Sequence, residues 1–145
     1  MIYKNLPKKF NSEFECVSCH IEYQDKILLL RRCRNKVEGG KWGLPAGKIE
    51  KDEDKVKALR REIKEETGIN LRVKQLKYLT KVYVKHPVFH YIFYIYKVVL
   101  KKQPMIKLKT DENRAYKWVL PKSALKMKLI RGQDKCFKIV YKLNK

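Results

Sequence analysis

The stretch from Gly47 to Ile69, GKIEKDEDKVKALRREIKEETGI, constrains this chain more than any other. The protein sets 36 Lys and Arg against 15 Asp and Glu, a net charge of +21, yet it crowds carboxylates into this one segment. Residues 54–67 read as a helix, with Asp52 as its cap and Gly68 as its C-terminal stop. At about 100° per residue, Val56, Leu59 and Ile63 fall within about 60° of one another and form a stripe to be buried. Glu62, Glu65 and Glu66 spread over an adjoining arc of about 100°, along the seam where the helix meets the protein body. Lys57, Arg60 and Lys64 face outward. Local stability opposes this layout, because anions near a helix C-terminus meet the wrong end of the macrodipole. Glu62 and Glu66 also repel each other at i,i+4. A solvated acidic face with Glu–Lys pairs is the plain alternative. A hard divalent cation explains more, since Mg²⁺ takes oxygen ligands and joins carboxylates to substrate phosphates.

The spacing favours the cation. The segment reads G-x5-E-x7-R-E-[ILV]-x-E-E-x-G-[ILV], filled by Gly47, Glu53, Arg61, Glu62, Ile63, Glu65, Glu66, Gly68 and Ile69. Every fixed position matches the Nudix box, and the sequence resembles a Nudix hydrolase. The flanks add to this: KWGLPAGKIE looks like the approach to the box in MutT-type members, and Glu112 with YKWV looks like the region after the second hairpin. The resemblance implies an α/β/α sandwich with a mixed β-sheet between helices. It also implies hydrolysis of a nucleoside diphosphate linked to another moiety, with Mg²⁺ or Mn²⁺ as cofactor. Glu62, Glu65 and Glu66 then correspond to metal ligands or to groups that activate water. Arg61 corresponds to the arginine that pairs with a glutamate, here Glu53, and supports the helix. Gly47 and Gly68 belong to the same structural support. Many relatives have two glycines where this chain has Ala46-Gly47; the first lends a backbone carbonyl to metal, and alanine keeps one.

A carboxylate that accepts the proton of the attacking water completes such a site. Glu112 is the first candidate, with Asp111 as its rival and Glu66 as a third option. Trp42 precedes the box in a glycine-rich loop and is a candidate to stack on a base, although burial against the helix is the simpler expectation. Tyr83, Phe89, Tyr91 and Phe93 include possible base platforms or plain core. Arg31, Arg32 and Arg34 follow a strand and are candidates to hold phosphate.

The rest of the chain reads as one mixed α/β domain, 1–145. Residues 14–23 and 26–33 suggest a hairpin, followed by a Gly- and Pro-rich loop. LKYLTKVYVK and VFHYIFYIYKVVL suggest a second hairpin, AYKWVL a short strand, and 122–143 a helix interrupted near Gly132. CVSCH has the C-x-x-C-H outline of haem attachment, but nothing directs export, and Cys33 and Cys136 do not form the second pair that a zinc site would use. The cysteines read as reduced, small strand hydrophobes. No run approaches the roughly 20 apolar residues of a membrane span, and MIYKNLPKKF lacks a secretory h-region, so the expectation is a cytoplasmic protein with no membrane partner. Nothing in the sequence sets an oligomeric state.

The basic excess suits an anionic partner. From Lys97 onward there are 15 basic and 3 acidic residues. A nucleotide substrate is preferred, foremost a nucleoside triphosphate, intact or damaged, giving the monophosphate and pyrophosphate. RNA bearing a 5′-triphosphate, ADP-ribose and dinucleoside polyphosphates are the alternatives. Nucleic acid is possible but not favoured, because no aromatic-spaced RNA-binding motif accompanies the lysines. A non-catalytic RNA- or nucleotide-binding module of the same fold is the rival from another class. Three intact glutamates argue against it, since they repel phosphate.

Overall fold

The computed structural model describes residues 1–143. The first expected hairpin joins β2 (Phe14–Tyr23) to β3 (Lys26–Arg32), after a short β1 (Ile2–Tyr3) that the sequence reading did not foresee. Gln24 and Asp25 turn the chain with positive φ angles, 49° and 65°. Beyond Glu22↔Ile27 and Tyr23↔Lys26 the hairpin opens. β3 turns to β4 (Trp42–Gly43), while Cys16–Ser18 of β2 pair with β5 (Ala46–Lys48). This splay brings the start of the acidic segment into the sheet.

The second hairpin, β6 (Lys77–Lys85) and β7 (His90–Val99), forms as the alternating β-branched and aromatic runs predict. β7 then lies parallel to β2 along most of its length, from Phe14↔Tyr91 to Glu22↔Val99. β8 (Asn113–Val119) closes against β3, so the sheet is mixed. Alternation along these strands feeds two cores. Val17, Cys19, Ile21, Leu28, Leu30, Tyr94, Tyr96 and Val98 face α1 (Lys55–Thr67) and its buried Ala58, Leu59 and Ile63. Ile27, Leu29, Phe93 and Ile95 face the opposite way, toward Cys136 and Phe137 of α3 (Gln133–Tyr141). A sheet covered on both faces explains why Ile27, Leu28, Leu29 and Leu30 of β3 are continuously apolar and buried rather than alternating. This is the expected α/β/α arrangement.

Two boundaries differ from the sequence reading. Asp54, not Asp52, caps α1: its side chain accepts from the Lys57 amide at 2.8 Å. Asp52 sits at φ 63° inside a tight turn closed by the Glu53 amide donating to the Glu50 carbonyl. The extended backbone that an N-cap needs is reached only two residues later. The expected helix 122–143 is two helices, α2 (Pro121–Ala124) and α3. The segment between them serves the sheet instead: the Trp42 amide donates to Lys128 O, and the Ile130 amide to Trp42 O. Backbone pairing with β4 outweighs helix propensity there.

The cysteines are dispersed and free. Cys19 and Cys136 are fully buried in different core clusters, and burial pushes the thiols of Cys16 and Cys136 up to about 12. No helix among the described residues is long and apolar enough to cross a membrane.

Candidate active site

The glutamates of α1 are held by devices that differ from one residue to the next. Glu66 is 5% exposed. Its Oε1 accepts from the Ala46 amide at 2.9 Å, which ties the helix to β5. Burial, reinforced by the charge of Glu62, pushes its carboxyl up to about 8 against the pull of that amide. Glu62, with its side chain 14% exposed, meets Arg61 Nη1 at 2.8 Å. Burial raises its pKa too, and the adjacent guanidinium opposes the rise. Glu65 is the open member, 44% exposed, with Arg61 Nη1 at 3.5 Å.

Arg61 is the hub. It donates from Nε to Glu53 Oε2 at 2.7 Å and from Nη2 to Glu53 Oε1 at 3.0 Å, a two-pronged pair. Nη2 also reaches the Lys48 carbonyl at 3.1 Å, so one side chain binds α1, the turn before it and the end of β5. The Glu53 side chain is only 8% exposed, and its hydrogen bonds from Arg61 hold its pKa down to about 2. Gly47 is required by packing rather than by an unusual φ: a Cβ there would sit 2.0 Å from Glu62 Cδ. Ala46 has no positive φ, so the alanine that replaces a glycine of many relatives sits unstrained. Gly68 ends α1 in the left-handed conformation at φ 79°, its amide donating to Lys64 O.

Glu62, Glu66, Ala46, Gly47, Lys48, Arg32 and Glu112 line one cavity of about 460 Å³. Phe14, Phe89, Tyr91 and Phe93 line it as well, whereas Tyr83 does not and packs edge-on against Phe10. Of the candidate proton acceptors, Glu112 borders this cavity and Asp111 a neighbouring hollow. Trp42 does not line the cavity. It packs in the core cluster containing Leu44 and Phe137, on the α3 side, so the expectations of base stacking and of burial against α1 are both corrected. Its backbone is fixed there by the pairing with 128–130. Arg32 borders the cavity, while Arg31 and Arg34 open onto a separate hollow.

The sequence reading missed Glu38, His86, Asn113 and Gln133, all of which line the cavity. Glu38 accepts from the Arg131 amide at 2.9 Å and Lys41 Nζ at 3.0 Å, and lies 3.3 Å from His86 Nε2. Burial would raise its pKa, yet these partners together hold it at about 2. Glu38 stands at φ 59° in an EGG stretch, and an acid in such a loop was the only sequence signal.

The donor set suits a hard divalent ion. Carboxylates gathered at one cavity raise one another's proton affinity, and a cation relieves that repulsion. Among the described residues they do not already converge as a ligand cluster, since Glu62 faces Arg61 and Glu66 faces the Ala46 amide.

Residues 16–138 match the NUDIX domain family. The chain belongs to that family. Over 47 residues the chain is 45% identical to 8-oxo-dGDP phosphatase NUDT18 of Homo sapiens, covering 32% of this chain and 14% of that protein. Another match, 42% identical over 59 residues, is to the CTP pyrophosphohydrolase of Escherichia coli (strain K12), covering 41% of this chain and 44% of that one. The chain thus spans less than half the length of these two relatives. Among solved structures, the MutT protein from Methanosarcina mazei Go1 superposes at TM-score 0.76 with 26% identity, over 89% of this chain and 92% of that one. The NUDIX domain of Shewanella oneidensis NrtR, complexed with ADP ribose, gives 0.77 at 21% identity over 95% and 92%, a likeness of fold alone.

Proposed function

We propose that this NUDIX protein is a metal-dependent pyrophosphohydrolase. Its foremost substrate is a nucleoside triphosphate, intact or damaged, cleaved to the monophosphate and pyrophosphate. The observation that carries this reading is the interlock at Arg61, which grips Glu53 twice and Glu62 once while Gly47 leaves room for Glu62 beside the cavity. A module that only bound nucleotides would gain nothing from carboxylates held so firmly against a phosphate site.

Glu62, Glu65, Glu66 and the Ala46 carbonyl would hold Mg²⁺ or Mn²⁺, which when bound polarises phosphoryl oxygen and acidifies water. Arg61 and Glu53 keep α1 in register with β5. Glu112, rather than Asp111, accepts the proton of the attacking water, because it borders the same cavity as Glu62 and Glu66. Arg32 and Lys48 offset charge on the phosphates. The aromatic wall of Phe14, Phe89 and Tyr91 gives a base an apolar surface to lie against. Both short-range relatives act, by name, on nucleotides carrying phosphoanhydrides, which agrees with this substrate class.

A panel of nucleoside triphosphates, oxidised nucleotides, ADP-ribose, dinucleoside polyphosphates and 5′-triphosphorylated RNA tests the proposal by product analysis. Monophosphate and pyrophosphate from a triphosphate, with turnover abolished by EDTA, is the expected result. Undiminished turnover in EDTA, or none on any member of the panel with Mg²⁺ or Mn²⁺, would overturn it.

A further inference from the structure

β3 and β8 meet in antiparallel register, Arg31 opposite Ala115 and Arg32 opposite Asn113. That pairing carries Arg114 from the far end of the chain to Arg31, Arg32 and Arg34. With Gly40 and Ala115 these four arginines line a hollow of about 440 Å³. The chain contains 28 Lys and only 8 Arg, yet four Arg and no Lys line this hollow. A general drift toward positive charge would have filled it with lysine. Arginine differs by presenting a planar fork that meets two phosphate oxygens at once.

None of the four is locked in an ion pair, although Asp111 shares an adjoining hollow with Arg34 and Arg114, and the charge of Arg32 acts on Glu66. Among the described residues, arginine ion pairs involve Arg61 and Arg131, and none involves Arg31, Arg32, Arg34 or Arg114. Arg31 and Arg32 are steadied instead by backbone carbonyls, through Nε to Gly40 O and Val37 O. Arg32 borders both this hollow and the carboxylate cavity, so the two meet at its side chain. No aromatic residue lines the hollow, which therefore offers phosphate groups a seat and a base no stacking platform.

We propose that the hollow is a second anion site for phosphate groups beyond the scissile anhydride. The protein accordingly accepts, beside nucleoside triphosphates, substrates whose phosphate chain exceeds three, such as nucleoside tetraphosphates or dinucleoside polyphosphates. The substrate range rests on the hydrolase reading above; the anion site itself does not.

Calorimetric binding of inorganic phosphate, pyrophosphate and tripolyphosphate in EDTA tests the site without any turnover. Wild-type affinity should rise with chain length. Arg31→Ala/Arg114→Ala should lose about tenfold on tripolyphosphate, the scale of one charge-assisted contact. Lys101→Ala/Lys102→Ala, exposed and equal in charge removed, should keep it. Equal losses in the two variants would overturn the site in favour of net charge. Arg31→Lys/Arg114→Lys keeps the charge and removes the fork, which guards against misfolding of the alanine variant. It should show the same loss, and retained affinity would contradict the proposal. Kinetically, the kcat/KM ratio of adenosine tetraphosphate to triphosphate should fall in both arginine variants. A ratio unchanged in both arginine variants would overturn the role of the hollow in substrate choice. Failed hydrolysis with arginine-dependent tripolyphosphate binding would support the site and refute only the hydrolase reading. Tighter binding to 5′-monophosphorylated RNA than to tripolyphosphate, growing with oligonucleotide length and eroding with salt, would assign the surface to nucleic acid instead.

Discussion

The glutamate wall of α1 and the arginine rim of β3 and β8 are both gatherings of like charge, lining two hollows that meet at Arg32, and they are stabilised in opposite ways. The wall contains its own counterion: Arg61 contacts Glu53, Glu62 and Glu65, and the Ala46 amide holds Glu66. In the rim, Arg31 and Arg32 are steadied by backbone carbonyls, and among the described residues no rim arginine is locked in an ion pair. A buried like-charge cluster must be braced before any ligand arrives, whereas an exposed one can rely on water. The wall is therefore built as a rigid instrument and the rim as an open receiver.

The largest expected effect would break that contrast at the wall. Glu66→Gln or Glu65→Gln should lower kcat/KM on the preferred triphosphate by about 10³-fold with the far-UV CD spectrum unchanged, the scale of one lost electrostatic contribution in a preorganised site. Retention of full activity would make the wall a structural feature only. Gly47→Ala comes next. Its Cβ would collide with Glu62, so the carboxylate or β5 must shift, and a loss of about 10²-fold should appear in steady-state kinetics.

Arg61→Ala sharpens the difference between the two clusters, because it removes a brace and not a phosphate contact. It should cost about 2 kcal/mol of stability, on the scale of lost hydrogen bonds between charged groups, together with activity. Unchanged melting with weakened substrate affinity alone would show that Arg61 belongs functionally with the rim. The smallest effect concerns pH. The folded pKa of Glu53, about 2, lies below its ordinary 4.5, so its pair with Arg61 stabilises fully above about 4.5 and is lost as pH falls toward 2. Urea titrations should show that part of the acid destabilisation vanish in Glu53→Gln. An unchanged profile would mean that the pair contributes nothing to folding.

The same contrast governs what the sequence reveals. The wall was legible because its parts lie within one helix and the turn before it, so helical periodicity and the spacing from Gly47 to Ile69 place them without tertiary knowledge. The supporting role of Arg61 came only from the family resemblance. Asp52 was mistaken for the cap because composition does not tell a turn residue at positive φ from the extended residue two positions on. The rim was not legible. Arg31, Arg32 and Arg34 are adjacent in sequence, but Arg114 joins them only through the β3–β8 register. Glu38 was hidden for the same reason, since Arg131 and His86 reach it from distant segments. Trp42 misled because its neighbours 128–130 were read as helix when they pair with β4.

Mn²⁺ titration followed by electron paramagnetic resonance tests the central claim most directly, since it asks which cluster holds the ion. Wild type and Arg31→Ala/Arg114→Ala should bind Mn²⁺ alike, while Glu62→Gln and Glu66→Gln should each weaken binding by tenfold or more, about the loss expected for one ligand contact. Undiminished Mn²⁺ binding in both glutamine variants would contradict the account.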